Sequence, residues 1–219
     1  MCPTDYTPGS VLRNPSDWKN LRFYQKTDAL YQLTVIFCRR FLPKYGDRTV
    51  DQMIQAARSG KQNIIEGSED GKTSTATELK LINVARASVS ELREDYLDHL
   101  KIHSLAIWKK GHPRYQAMQE FCKVNNLPSS FLAFSEKWNE EEFCNICLTL
   151  CYQVDAMMNA YLKILEKSFV TQGGIKERMH QSRTGYRDGL EKRVKDLEAE
   201  VSRLKAKLQE LEAQIQNKE

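Results

Sequence analysis

No apolar run in this 219-residue chain approaches the roughly 18 residues that a membrane-spanning helix needs, so passage through a membrane is not expected. The opening Met1-Cys2-Pro3-Thr4-Asp5 lacks the basic-then-apolar pattern of a secretory signal. Neither sign of charge dominates: 33 basic and 29 acidic residues leave a formal net of +4, too little for a tail that coats nucleic acid along its length. Glycine and proline are sparse, at 10 and 6, which excludes a collagen-like chain, and 41% hydrophobic residues are enough to bury a core. The expectation is a cytoplasmic protein whose six cysteines are thiols unless something binds them. An alternating strand pattern is missing too.

What the sequence has is helical periodicity. Residues 1–18 hold Pro3, Pro8, Gly9 and Pro15 and read as an irregular arm. Leu30, Leu33, Phe37 and Phe41 then recur at three- and four-residue spacing, predicting a helix over about 21–42 that Pro43 and Gly46 stop. A second helix over about 48–67 carries Val50, Met53, Ala57, Gly60 and Ile64; its small middle residues suit close approach by another backbone. A third runs over about 75–102, with Thr75 and Glu78 read as its capping box. Residues 103–138 read as a mixed insertion with a short helix after Pro113 and a loop at 125–130. A fourth long helix begins after Asn139, with Glu142 completing a second capping box, and reaches about Phe169. The expected fold is all-α: an antiparallel up-and-down four-helix bundle over 19–172, followed by a linker at 173–189 and a C-terminal coiled-coil helix over 190–219.

That last segment keeps a strict heptad. Leu190, Leu197, Leu204 and Leu211 occupy d, and Val194, Val201, Leu208 and Ile215 occupy a. Mostly β-branched a positions with leucine at d favour two parallel strands. In that arrangement g residues meet the following e residues of the partner as Arg193–Glu198, Glu200–Lys205 and Lys207–Glu212, and all three pairs attract. A lone solvated helix would not need eight apolar residues at eight core positions.

Several motifs invite a chemical reading. Gly67-Ser68-Glu69-Asp70-Gly71-Lys72-Thr73 has one residue too few between its glycines for a phosphate-binding loop and follows a helix instead of a strand, so an interhelical turn is the expectation. Cys144, Cys147 and Cys151 share one helix face as three thiolates of a metal site would, but the same stripe continues as Val154, Met158, Tyr161 and Leu165, an ordinary buried seam. His99 and His103, at i and i+4, could place two metal ligands on one face; the plainer expectation is a solvated pair at a helix end. Asn63 and Glu66 read as interhelical capping groups. No histidine stands in a nucleophile–base–acid pattern, so no enzyme, cofactor or metal is expected.

Charge is unevenly spread. Between Lys19 and Lys61 nine basic residues face three acidic ones, a net of +6, whereas residues 140–167 carry −3. A basic surface on the first two helices would hold phosphate backbones without reading sequence, through Arg39, Arg40, Lys44, Arg48, Arg58 and Lys61. A merely solvated face is the alternative.

The run Gln52, Ala56-Ala57-Arg58-Ser59 and Asn63-Ile64-Ile65-Glu66-Gly67, followed by Ala85, Ser88 and Glu91-Leu92, resembles the four-helix-bundle family first described from proteins encoded in rRNA intervening sequences, nearest to its four-helix-bundle suffix variant. The likeness covers about 20–169 and departs from the family pattern at Lys61-Gln62, where Pro-Ala is usual, and in the insertion. It implies a non-enzymatic bundle. It also implies homo-oligomers, with rings of five among relatives, and possible binding to RNA or a reverse transcriptase, as for the accessory variability determinant of diversity-generating retroelements. The alternative is a protein-interaction scaffold assembled through the coiled coil, without nucleic acid.

Overall fold

The computed structural model describes residue 12, residues 17–43 and residues 48–216, with the side chains of Gln172 and of 211–216 outside the description. Most of the irregular arm, and Lys44, therefore lie outside the described residues. Those described form an all-helical chain, without a strand among them. The described residues divide into two compact units, one within 17–171 and the other containing 172–216. No helix among the described residues is long and apolar enough to cross a membrane.

In the larger unit a short 3-10 turn, Trp18–Asn20, leads into α1 (Arg22–Phe41). Asp17 caps the turn, its Oδ1 accepting from the Lys19 amide at 3.3 Å. The expected stripe of α1 is its buried side, with Leu30, Leu33 and Phe37 fully enclosed. α2 (Arg48–Asp70) runs past Gly67, where the sequence suggested an end. Gly67 is there for proximity: a Cβ on it would lie 3.1 Å from Leu81 Cβ. The chain turns instead through Gly71 into α3 (Thr75–Ile102). Ser74, not Thr75, caps α3, accepting from the Thr77 amide at 3.1 Å. Glu78 is buried and accepts from the Tyr161 hydroxyl at 2.5 Å.

The pairwise directions follow from the contacts. Gly60 approaches Val89 while Gly67 approaches Leu81, so α2 runs antiparallel to α3; a Cβ on Gly60 would come to 3.2 Å from Val89 Cγ2. The small residues expected to admit another backbone do so. Thr34 meets the Tyr96 hydroxyl at 3.0 Å and Phe37 meets His99, which sets α1 parallel to α3. The long helix α6 (Glu140–Gln172) runs against both: Phe23 touches Tyr161 and Phe37 touches Phe143, while Arg86 pairs with Asp155 at 3.0 Å. Its start keeps the expected capping box, with Asn139 Oδ1 accepting from the Glu142 amide at 2.8 Å and Glu142 Oε2 accepting from the Asn139 amide at 3.0 Å.

The insertion is built into this core. It contains α4 (Tyr115–Val124) and α5 (Pro128–Ser135), the second in a stretch that the sequence left without a helix. Pro128 sits in the first turn of α5, where its missing amide costs nothing. Trp108, Met118, Cys122 and Phe131 are buried with the long helices. Lys26 of α1, 3% exposed, donates its ammonium to the carbonyls of Cys122 and Asn125. Asn145 of α6 fixes the other end, accepting from the Trp108 amide and donating to the Ala106 carbonyl, each at 2.8 Å. Asn145→Ala strands a buried amide and should cost about 2 kcal/mol in urea unfolding. An unchanged midpoint would mean that the segment is held by its apolar residues alone.

The smaller unit contains α7 (Ile175–Gln216). Helix begins within the stretch expected to be a linker, and the break is confined to Gly173-Gly174. Gly173 adopts φ +68°, and the Gly174 amide donates to Glu177 Oε2 at 2.9 Å, which caps the new helix. Polar composition over 175–189 reflects exposure of a helix, not loss of one.

Candidate functional site

The heptad seam of α7 is an exposed apolar stripe among the described residues. Leu190, Val194, Leu197, Val201, Leu204 and Leu208 are each between 44% and 58% exposed. Leu211 and Ile215, the last two expected core positions, have side chains outside the described residues. Leucine and valine at 3-4 spacing over nearly three heptads cannot be shielded by their own helix. They lie on one face because 3.5 residues per repeat nearly match the helical turn.

Five of the six cations proposed for phosphate contact lie among the described residues, in different settings; Lys44 lies outside them. Arg39 and Arg58 are exposed near the end of α1 and on α2. Arg40 is spent on structure, donating to the carbonyls of Ser135 and Trp138 and lying 4.7 Å from the Phe41 ring centroid. Lys61 bonds to Asp28 at 3.2 Å and sits 4.4 Å from the Tyr31 ring centroid. Arg48 is exposed at the rim of a groove of about 720 Å³ between α2 and α3, whose other charged residues are Asp51, Glu91 and Asp95. Burial raises the Asp95 carboxyl above its ordinary range, and the neighbouring Asp98 and Glu91 add to the effect. That groove is acidic on balance.

Ser59 and Asn63 of α2 and Ser88 of α3 meet where these helices pack. Ser59 and Ser88 hydroxyls lie 3.0 Å apart, and Asn63 donates to the Ser59 carbonyl at 2.9 Å and to its hydroxyl at 3.1 Å. Both Asn63 bonds stay within α2, one turn back, so they are not the interhelical capping expected of Asn63. Glu66 is exposed.

Cys144, Cys147 and Cys151 are fully buried, and burial pushes all three thiols well above the usual range. They belong to the seam, with Val154 and Met158 continuing it. The histidine pair differs from expectation. His99 is buried, not solvated, and its Nε2 lies 2.6 Å from Glu140 Oε1, while its ring stacks on His103 with centroids 4.2 Å apart. Among the described residues this is a set that could hold a metal ion: one donor atom from each of His99, His103 and Glu140, all within 4.8 Å of one another. Glu140 stands far along the chain from both histidines, so spacing could not reveal it. Comparison with known proteins returns no matching family, no matching curated protein and no matching solved structure.

Proposed function

We propose that this chain is a non-catalytic assembly protein, a four-helix bundle joined to a helix that pairs two copies as a parallel two-stranded coiled coil. The up-and-down reading of α1, α2, α3 and α6 is supported by their alternating directions, by the shared core and by the likeness of 48–67 and 84–92 to the four-helix-bundle family. The observation that carries assembly is the exposed seam of α7, six successive core positions each about half open to water. The occupant is a second copy of the same helix, because the flanking charges complement themselves: Arg193–Glu198, Glu200–Lys205 and Lys207–Glu212. Each exposed pair contributes only a few tenths of a kcal/mol, so they select orientation while the apolar seam supplies affinity. Val201→Cys tests register. In a parallel pair the two new thiols face each other, and mild oxidation should link most chains within minutes, as seen on a non-reducing gel. The same low background as the unsubstituted chain would refute the parallel arrangement.

A second reading, that the bundle binds RNA or a nucleic-acid enzyme, draws on the exposed Arg39 and Arg58 and on the family likeness. A pair of chains would present these cations twice. Arg58→Glu should then weaken binding of single-stranded RNA about tenfold at low salt, measured by fluorescence anisotropy, with affinity falling steeply as salt rises. Salt-insensitive binding, or affinity untouched by the reversal, would leave the bundle as a protein-binding scaffold.

A further inference from the structure

We infer that His99, His103 and Glu140 form a binding site for a divalent transition-metal ion, with zinc the expected occupant. Two imidazoles and a carboxylate suit zinc and its late first-row neighbours, whereas magnesium and calcium require oxygen donors throughout. The donor atoms already lie within 4.8 Å of one another. Zinc bonds to nitrogen and oxygen at about 2.0–2.2 Å, which puts tetrahedral donors roughly 3.4 Å apart, so closure needs side-chain movement of about 1 Å. Exposed His103 has room for that movement. The metal would take the place of the 2.6 Å contact between His99 Nε2 and Glu140 Oε1. His99 is the fixed member, buried at 7% exposure with Phe37 edge-on to its ring at 5.0 Å. With His103 exposed and Glu140 half-buried, a fourth position stays open to water.

The three adjacent glutamates that begin α6 show why Glu140 is the ligand. Glu141 accepts from the Ala106 amide at 3.0 Å and from the Trp108 indole at 2.7 Å. Glu142 closes the capping box with Asn139 and pairs with Arg114. Glu140 has neither duty and faces the histidines. Its position gives the site a structural consequence. His103 opens the insertion and Glu140 follows its end, so a bound ion would join the two ends of the 103–138 excursion and stabilise the folded chain by mass action.

Calorimetric titration of zinc into the metal-free full-length chain tests this. The expected result is one ion per chain with a dissociation constant in the micromolar range or below. His103→Ala and Glu140→Gln, on exposed and half-buried side chains, should each weaken it on the order of tenfold or more while circular dichroism stays unchanged. Zinc should also raise the melting temperature of the unsubstituted chain and not of these variants. Absence of binding, or binding that survives both substitutions, overturns the assignment.

Discussion

Replacing Leu197 and Leu204 with aspartate should leave a single chain in place of the proposed pair. Both leucines occupy d positions, and a two-stranded coil buries each of them against its counterpart. Fully burying a leucine is worth about 1.5–3 kcal/mol, and each is already about half covered by its own helix, so the four lost per pair remove roughly 3–6 kcal/mol before any carboxylate is desolvated. Dissociation should be favoured by roughly a hundredfold or more, and sedimentation at micromolar concentration would show it. The larger unit should unfold at the same urea concentration as before. Leu197 and Leu204 are 44% and 58% exposed in the single chain, so it loses no core when they change. A coil held mainly by its flanking charges would instead survive the leucine changes and come apart in high salt.

Alkaline conditions should destabilise the larger unit steeply, and the cause is its buried thiols. Burial pushes the Cys122 thiol from 9.0 up to about 12, and pushes those of Cys144, Cys147 and Cys151 upward as well. Below pH 9 these groups are protonated in both states and folding carries no proton cost. As pH rises past 9 the unfolded chain releases protons that the native chain retains, so stability falls. Each thiol contributes up to about 1.4 kcal/mol per pH unit in that range. Lys26 acts with the opposite sign, because burial lowers its pKa and the unfolded chain then holds the extra proton. One amine is set against four thiols, and the net direction is loss. Urea midpoints measured in reductant should hold level from pH 7 to about 8.5 and drop sharply by pH 10–11. A level midpoint throughout would mean that water reaches the seam and that the cysteines are not core residues. Cys147→Ala should soften the decline while costing stability at pH 7, since a fully buried side chain is lost.

The long helices were legible because their apolar residues repeat at helical spacing and because Asn139 with Glu142 is a local signal. Small residues at Ala57 and Gly60 likewise announced a close helix contact, and Val89 is what fills it. Local pattern misleads where tertiary contacts outweigh it. Thr75 has the spacing of a cap, yet Ser74 takes that place, and Glu78 lies buried against Tyr161, 83 residues away. Gly67 looks like a helix end, yet it is small so that Leu81 can approach. The stretch 175–189 is polar because it is exposed helix. The metal-capable set was half visible: His99 and His103 share a face by spacing alone, but Glu140 joins them only because α6 returns antiparallel to α3. Charge was the weakest guide. Lys26, Arg40 and Lys61 counted equally with Arg39 and Arg58 in the sequence, and the structure commits the first three to carbonyls, rings and a carboxylate.

Light scattering on the full-length chain at low micromolar concentration, with absorbance read at protein and nucleic-acid wavelengths, tests assembly most directly. A mass of twice 25.4 kDa, falling to one chain for the Leu197→Asp, Leu204→Asp variant, is the expected result. A single-chain mass for the unsubstituted protein, or a five-chain mass that the variant leaves intact, would contradict pairing through α7.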